Sequence, residues 1–166
     1  MHVATEYADV RRMPSAVRRL NVEPTALAVV RRRAQSSELG TVVPRCCGIV
    51  WDFARSHGMK AGRHVAVYLN TAIDVEIGVE LNEPFVSDGA VVPSTLPGGP
   101  VATAVHLGPY HLLGDTHKQV LAWIETHDLR ATGICWEIYG HWRVEWDQDP
   151  SQIRTDVFYQ LTYPRT

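Results

Sequence analysis

Apolar positions along the chain follow two periods, two residues and about 3.6 residues, and the order in which they alternate is the same in both halves. In the first half the pattern predicts a strand at 27–30, a Ser-rich loop and a helix over about 43–57. A turn carrying Gly58 and Gly62 follows, then strands at 64–69 and 75–81. In the second half it predicts a strand at 101–107, the turn Gly108-Pro109-Tyr110 and a helix over about 114–127. A turn at 131–133 follows, then strands at 134–139 and 157–163. Each half reads strand, helix, strand, strand. Matching residues support a duplication. His57 and His127 close the two helices 70 positions apart, Phe53 matches Trp123 at the same offset, and Tyr68 and Tyr139 end the next strands 71 apart. The Pro- and Gly-rich stretch 92–100 reads as a linker between repeat one, 22–91, and repeat two, 101–163. Two fused modules sharing one sheet is the organisation this predicts.

Periodicity also assigns faces. Cys46, Ile49, Val50, Phe53 and His57 form one helical stripe; Leu113, His117, Val120, Leu121 and Ile124 form the other. Alternation along the strands sets Val65, Val67 and Leu69 against His64, Ala66 and Tyr68, and Ile134, Trp136 and Ile138 against Cys135, Glu137 and Tyr139. It likewise sets Val75, Ile77, Val79 and Leu81 against Glu76, Gly78 and Glu80, and Val157, Tyr159 and Leu161 against Phe158, Gln160 and Thr162. The more apolar sets are expected under the helices. Tyr68, Glu76, Glu80, Glu137 and Tyr139 are then left on the opposite face, which either meets water or curves into a groove.

A length of 166 residues fits one domain, and 45% hydrophobic with 20% charged residues describes an ordinary folded chain. No stretch approaches the roughly 18 apolar residues of a membrane span, and the N-terminus has no apolar segment of a secretory signal, so a cytoplasmic protein is expected. Residues 1–33 carry seven arginines and three acids, and the remaining chain nine basic and fifteen acidic residues. Arg11, Arg12, Arg18 and Arg19 read as part of a solvated arm over 1–20 ahead of a domain at 21–166, and the acidic body argues against nucleic-acid binding. The arm is also too short for a helix-turn-helix domain. Three cysteines without a CxxC pair support neither a zinc ribbon nor a redox motif. His106, His111 and His117 have no metal-ligand spacing, so neither metal nor cofactor is expected. Haem is the less favoured alternative, since eight histidines leave axial candidates open. Edges around 27–30 leave an oligomer open.

With these elements placed, the stretch VHLGPYHLLGDTHKQVLAWIETHDLRATGICWEIY at 105–139 resembles the GyrI-like small-molecule-binding domain family. Gly108-Pro109-Tyr110 is similar to its strand-to-helix turn, Glu137-Ile138-Tyr139 to its Glu-x-Tyr motif, DVEIGVEL at 74–81 to its Asp-x-Glu-x-Gly strand, and DPSQIRTDVFYQL at 149–161 to its last strand. The likeness covers about 22–163. It implies an α+β fold of duplicated β-α-β-β modules, one antiparallel sheet with two helices on one face and a central cleft. It also implies a ligand that is lipophilic and often cationic or planar aromatic, met by an acid matching Glu137. Some stand-alone relatives resemble regulators in fold but hydrolyse strained cyclopropane-bearing compounds.

The candidate ligand-binding residues are Tyr68, Glu76, Tyr110, Glu137, Tyr139, Trp142 and Trp146. An unpaired carboxylate in an aromatic cleft is costly, and an arriving cation removes that cost. The alternative for Glu137 is an exposed strand residue paired with an arginine such as Arg143. Tyr68 and Tyr139 offer stacking and cation–π contact. Trp142 and Trp146 sit in a long polar connection and read either as a lid or as edge packing. If the cleft is catalytic, Glu137 acts as general base and Tyr139 stabilises charge on the substrate. Capture or sensing of a hydrophobic or cationic small molecule is the leading expectation, cyclopropanoid hydrolysis the second, and a gyrase-interacting protective protein the third.

Overall fold

The structure, a computed structural model, describes residues 16–70 and 74–163. Its strands are β1 Arg18–Val22, β2 Thr25–Arg33, β3 His64–Tyr68, β4 Asp74–Glu80, β5 Val91–Leu96, β6 Gly99–Leu107, β7 Ala131–Tyr139 and β8 Arg154–Leu161. Its helices are α1 Leu39–Ser56, α2 Leu113–Thr126 and the single turn α3 Glu145–Gln148. The eight strands form one sheet in the order β1-β6-β8-β7-β3-β4-β2-β5, and every pair is antiparallel. The repeats meet at β3 and β7. Each repeat lends its leading strand to the other: β1 leads into β2 but pairs with β6, and β5 leads into β6 but pairs with β2.

This exchange rolls the sheet. Strands β1 and β2 are six neighbours apart, about 29 Å if the sheet were flat. Only Glu23 and Pro24 join them, a span of at most about 11 Å. Pro97 and Gly98 impose the same limit on β5 and β6. The two crossings touch: a Cβ on Gly98 would lie 2.8 Å from Pro24 Cδ, so glycine is required there. The helix-free face is therefore closed on itself. Leu20 and Val22 of one edge join Val92 and Leu96 of the other in a single core with Leu27, Val29, Val65, Val67, Val101, Trp136, Ile138 and Phe158.

On the outer face, α1 buries Cys46, Val50, Phe53 and Ala54 against Ala28, Val30, Ala66, Val75, Ile77 and Val79. Helix α2 buries Leu113, Val120 and Ile124 against Ala102, Ala104, Val157, Tyr159 and Leu161. The stripes are narrower than periodicity predicts, since Ile49 and Leu121 are exposed. The predicted assignment of faces holds for β4 and β8 and is reversed for β3 and β7. Val65, Val67, Trp136 and Ile138 fill the roll, and Tyr68, Glu137 and Tyr139 face the helices. Alternation identifies two faces but not which one a rolled sheet encloses, and both faces of these central strands are buried.

Three boundaries also differ. The expected linker at 92–100 is largely strand β5, its Pro and Gly serving the crossing. The expected arm over 1–20 falls outside the described residues up to 15 and is strand from Arg18 onward. Residues 27–30 are no edge, because β2 is paired on both sides; the edges are β1 and β5. Among the described residues no helix is long and apolar enough to cross a membrane.

The duplication extends to the helix ends. His57 and His127 each cap their helix with a backbone N–H and a ring Nδ1 directed at one carbonyl, that of Phe53 or of Trp123, and each ring lies against that same aromatic side chain. Residues in left-handed conformation follow, Gly58 at φ 63° and Asp128 at φ 54°. Met59 and Leu129 then donate back to Ala54 and Ile124, completing the same terminal motif twice. Asp128 bears a conformational cost that Gly58 avoids. Asp128→Gly is expected to raise stability by about 1 kcal/mol, and Gly58→Ala to lower it by a similar amount, both read from chemical denaturation midpoints.

Candidate functional site

Strand register places Glu137 at the centre of the helix-covered face, between Ala66 of β3 and Val157 of β8. The floor between α1 and α2 is made of these strands, and Glu137 is only 6% exposed there. Helix α2 turns His117 toward it, and His117 Nε2 lies 2.7 Å from Glu137 Oε1. The Tyr139 hydroxyl donates to Oε2 at 2.5 Å and the Tyr68 hydroxyl at 3.4 Å. A carboxylate only accepts, so His117 carries a proton on Nε2. Its Nδ1 lies 2.7 Å from the Tyr159 hydroxyl. The arrangement is a relay from Tyr159 through His117 to Glu137, with two phenols closing the far oxygen. Tyr110, half exposed at the start of the turn before α2, rests edge-on against Tyr139, with ring centres 5.8 Å apart at 89°.

The acid is thus buried among aromatic rings but is not unpaired. The expected unsatisfied carboxylate gains a partner that the sequence reading left in a core stripe: His117, not Arg143. Burial, followed by the charge of Glu137, pushes the Tyr68 and Tyr139 phenols well above their ordinary range. Burial and then the neighbouring Cys135 do the same for Tyr159, and burial and then Cys47 raise Tyr110. The thiols go the same way: burial takes Cys135 to about 11, and burial with Cys46 takes Cys47 to about 12. The phenols therefore serve as permanent donors and the thiols as weak nucleophiles at best. In the neighbouring cross-strand row, Tyr139 stands between Thr155 and His64. The Thr155 hydroxyl and His64 Nδ1 are the two buried side-chain polar atoms among the described residues without a hydrogen-bond partner. Burial lowers the pKa of His64 and favours its neutral form.

The other candidates lie elsewhere. Glu76 is on the inner face of the roll, where Arg31 and Ser94 hold its carboxylate at 2.6 Å each; its neighbour Val75 packs under α1, and alternation sends Glu76 the opposite way. Trp142 and Trp146 pair edge to face at 5.4 Å, Trp146 buried and Trp142 exposed. His106 is buried and holds the turn before α2 through Thr116 and the Pro109 carbonyl. A surface depression of about 610 Å³ opens beside it, with Asp115, Gln119 and Asp149 on its walls, and shares no residue with the Glu137 cluster. Among the described residues no group of three or more His, Cys, Asp or Glu side chains is arranged to hold a metal. Sequence reasoning missed His117 and Tyr159 as site residues. The available clue was a histidine in an otherwise apolar stripe one strand away from Glu137.

A family model described as the GyrI-like small molecule binding domain matches residues 17–161. No curated protein matches the chain. Among solved structures, the EcmrR C-terminal domain is similar with a TM-score of 0.76 at 17% identity, over 92% of this chain and 100% of that one. In an EcmrR–DNA complex the likeness spans 98% of this chain but 63% of EcmrR, at 18% identity and a TM-score of 0.74. SAV2435 bound to tetraphenylphosphonium is similar at 9% identity, TM-score 0.65, over 89% and 94% of the two chains. A hydrolase from Listeria innocua is similar at 12% identity, TM-score 0.59, over 95% and 97%. At these identities the likenesses establish the fold.

The raised phenols set an alkaline limit. Below about pH 10 the tyrosines are neutral in both folded and unfolded chains, so their contribution is intact. Above it the unfolded chain ionises while Tyr68, Tyr139 and Tyr159 stay protonated in the folded one, so stability falls as pH rises. A tyrosinate absorbance titration is expected to leave these three of the six tyrosines silent until the protein unfolds.

Proposed function

We propose a function from one premise: the chain belongs to the GyrI-like small molecule binding domain family. The proposed ligand is a lipophilic compound, cationic or planar aromatic, held between α1 and α2 over Glu137. The observation that carries this reading is a nearly inaccessible carboxylate whose one basic partner among the described residues is a histidine, surrounded by Tyr68, Tyr110 and Tyr139. Such a site rewards a charge delivered on an apolar body: the rings take the body, and the carboxylate takes the charge. The tetraphenylphosphonium bound to SAV2435 is a compound of this class, and that protein shares the fold.

Entry requires movement. Tyr110 follows Gly108, whose φ of 136° favours glycine, and a swing of this turn lifts the Tyr110 ring off Tyr139. Thr155 and His64 then offer polar atoms on either side of Tyr139 to a ligand's heteroatoms. Drug or toxin capture and sensing are the roles such a site fits.

Hydrolysis is the second reading, favoured by the hydrogen-bonded pair of Glu137 and His117 with a phenol donor beside it. Glu137 would take a proton from a water that attacks a strained ring carbon; the ring C–C bond breaks, and Tyr139 supports charge on the adjoining carbonyl before protonation there. It ranks second because three donors already occupy the carboxylate, and an attacking water must displace one of them to reach it.

Tetraphenylphosphonium is expected to bind saturably by calorimetry or tryptophan fluorescence. Glu137→Gln is expected to weaken it by at least about tenfold, or about 1.4 kcal/mol, while sparing the neutral triphenylphosphine oxide. Equal affinity of both proteins for the cation would refute the reading. Ring-opened, hydrated product from a cyclopropane-bearing alkylator, detected by mass spectrometry, would promote the enzyme.

A further inference from the structure

We propose that His117 is the resident counter-ion of this site and sets its selectivity for charge: a permanent cation binding beside Glu137 expels one proton from His117. The inference rests on the cation-binding reading above and adds the group that the ligand replaces. His117 Nε2 is 2.7 Å from Glu137 Oε1, and the side chains are 18% and 8% exposed, so water screens the pair weakly. A second positive charge reaching the same carboxylate meets an imidazolium across a few ångströms of poorly hydrated space. Like charges so placed cannot both persist, and only the imidazolium can discard its charge. The charge then balances: carboxylate and imidazolium before binding, carboxylate and ligand after it, with the proton passed to water.

The surroundings make that loss inexpensive. Nδ1 of His117 faces the Tyr159 hydroxyl at 2.7 Å, and a hydroxyl both donates and accepts. With His117 charged, Nδ1–H donates to Tyr159; with His117 neutral, the Tyr159 O–H turns and donates to Nδ1. Neither state leaves a buried polar atom without a partner. The other titratable groups facing the cluster are Glu137, Cys135 and Tyr139 of β7, Tyr159 of β8, Tyr68 and His64 of β3, Tyr110 before α2, His106 of β6 and Cys47 of α1; burial favours the neutral form of His64 and of Tyr110. Burial keeps the phenols and thiols protonated. His106 is committed to Thr116 and the Pro109 carbonyl. The mobile proton of the site is the one on His117. A neutral ligand leaves it in place, so the site distinguishes cations from neutral isosteres by pH.

Calorimetry of the full chain with tetraphenylphosphonium, in two buffers of different ionisation heat, counts the proton. Where His117 carries its charge before binding, the expected release approaches one proton per ligand, and it falls toward none as the pH is raised until the imidazole is neutral before the ligand arrives. Affinity is expected to rise with pH by up to about tenfold per unit over the range in which the unliganded protein still holds that proton. Triphenylphosphine oxide is expected to release none. His117→Gln keeps an N–H donor toward Glu137 but cannot titrate, so it is expected to bind the cation without proton release and with a flat pH profile. Should that variant misfold, histidine ring resonances of the wild-type protein replace it: one titration is expected to move to lower pH on adding the cation. Cation binding with no proton exchanged and no pH dependence overturns the inference and leaves the cation reading standing. Absence of cation binding, or binding indifferent to Glu137→Gln, overturns that reading and the inference with it.

Discussion

The shortness of two connections governs this molecule. Glu23-Pro24 and Pro97-Gly98 must each bridge strands that a flat sheet would separate by about 29 Å. The sheet rolls until they meet, with Gly98 against Pro24. The roll turns the helix-free face into an interior. Apart from Glu76, which Arg31 and Ser94 hold from β2 and β5, apolar side chains fill it, Trp136, Ile138 and the valines of β3 among them. Alternation sends their neighbours Tyr68, Glu137 and Tyr139 to the helix side, where α2 can bring a histidine to them. The position of the acid follows from the reach of two-residue turns.

That position is held at a cost already met within the chain. A carboxylate as buried as Glu137 would be strongly unfavourable alone. Three hydrogen bonds, one from a basic side chain, offset the loss of water. A ligand that takes over part of this role must outcompete an existing arrangement rather than fill a void. The open depression lies elsewhere, beside His106, while Tyr110 rests edge-on against Tyr139 next to the acid.

Much of this was legible in the chain. The 70-residue correspondence of His57 with His127 announced two modules, and the structure shows why those histidines recur, since each caps a helix by the same three contacts. Tyr68, Glu137 and Tyr139 were legible as one set because they share strand parity. Which face they occupy was not, since both faces of β3 and β7 are dry and period-two alternation is blind to the direction of a roll. Glu76 had the same chemistry and the wrong parity relative to its strand partner: Val67, which pairs with it, lies inside the roll. Pro and Gly in 92–100 mark a turn without marking how little of the segment is turn; Pro93 sits in strand β5, which among the described residues is paired on one side only. His117 was hidden in plain view, a polar residue at a stripe position, whose role depends on a contact with residue 137 that no local pattern reports.

The central claim is that Glu137 and His117 together form the seat of a cation. A crystal structure of the protein with tetraphenylphosphonium tests this most directly. The account predicts the phosphonium between α1 and α2, its phenyl rings against Tyr68, Tyr110 and Tyr139 and its positive centre within about 6 Å of an aromatic face beside the Glu137 carboxylate. A cation seated instead in the depression between Asp115 and Asp149, or inside the roll beside Glu76, would contradict it.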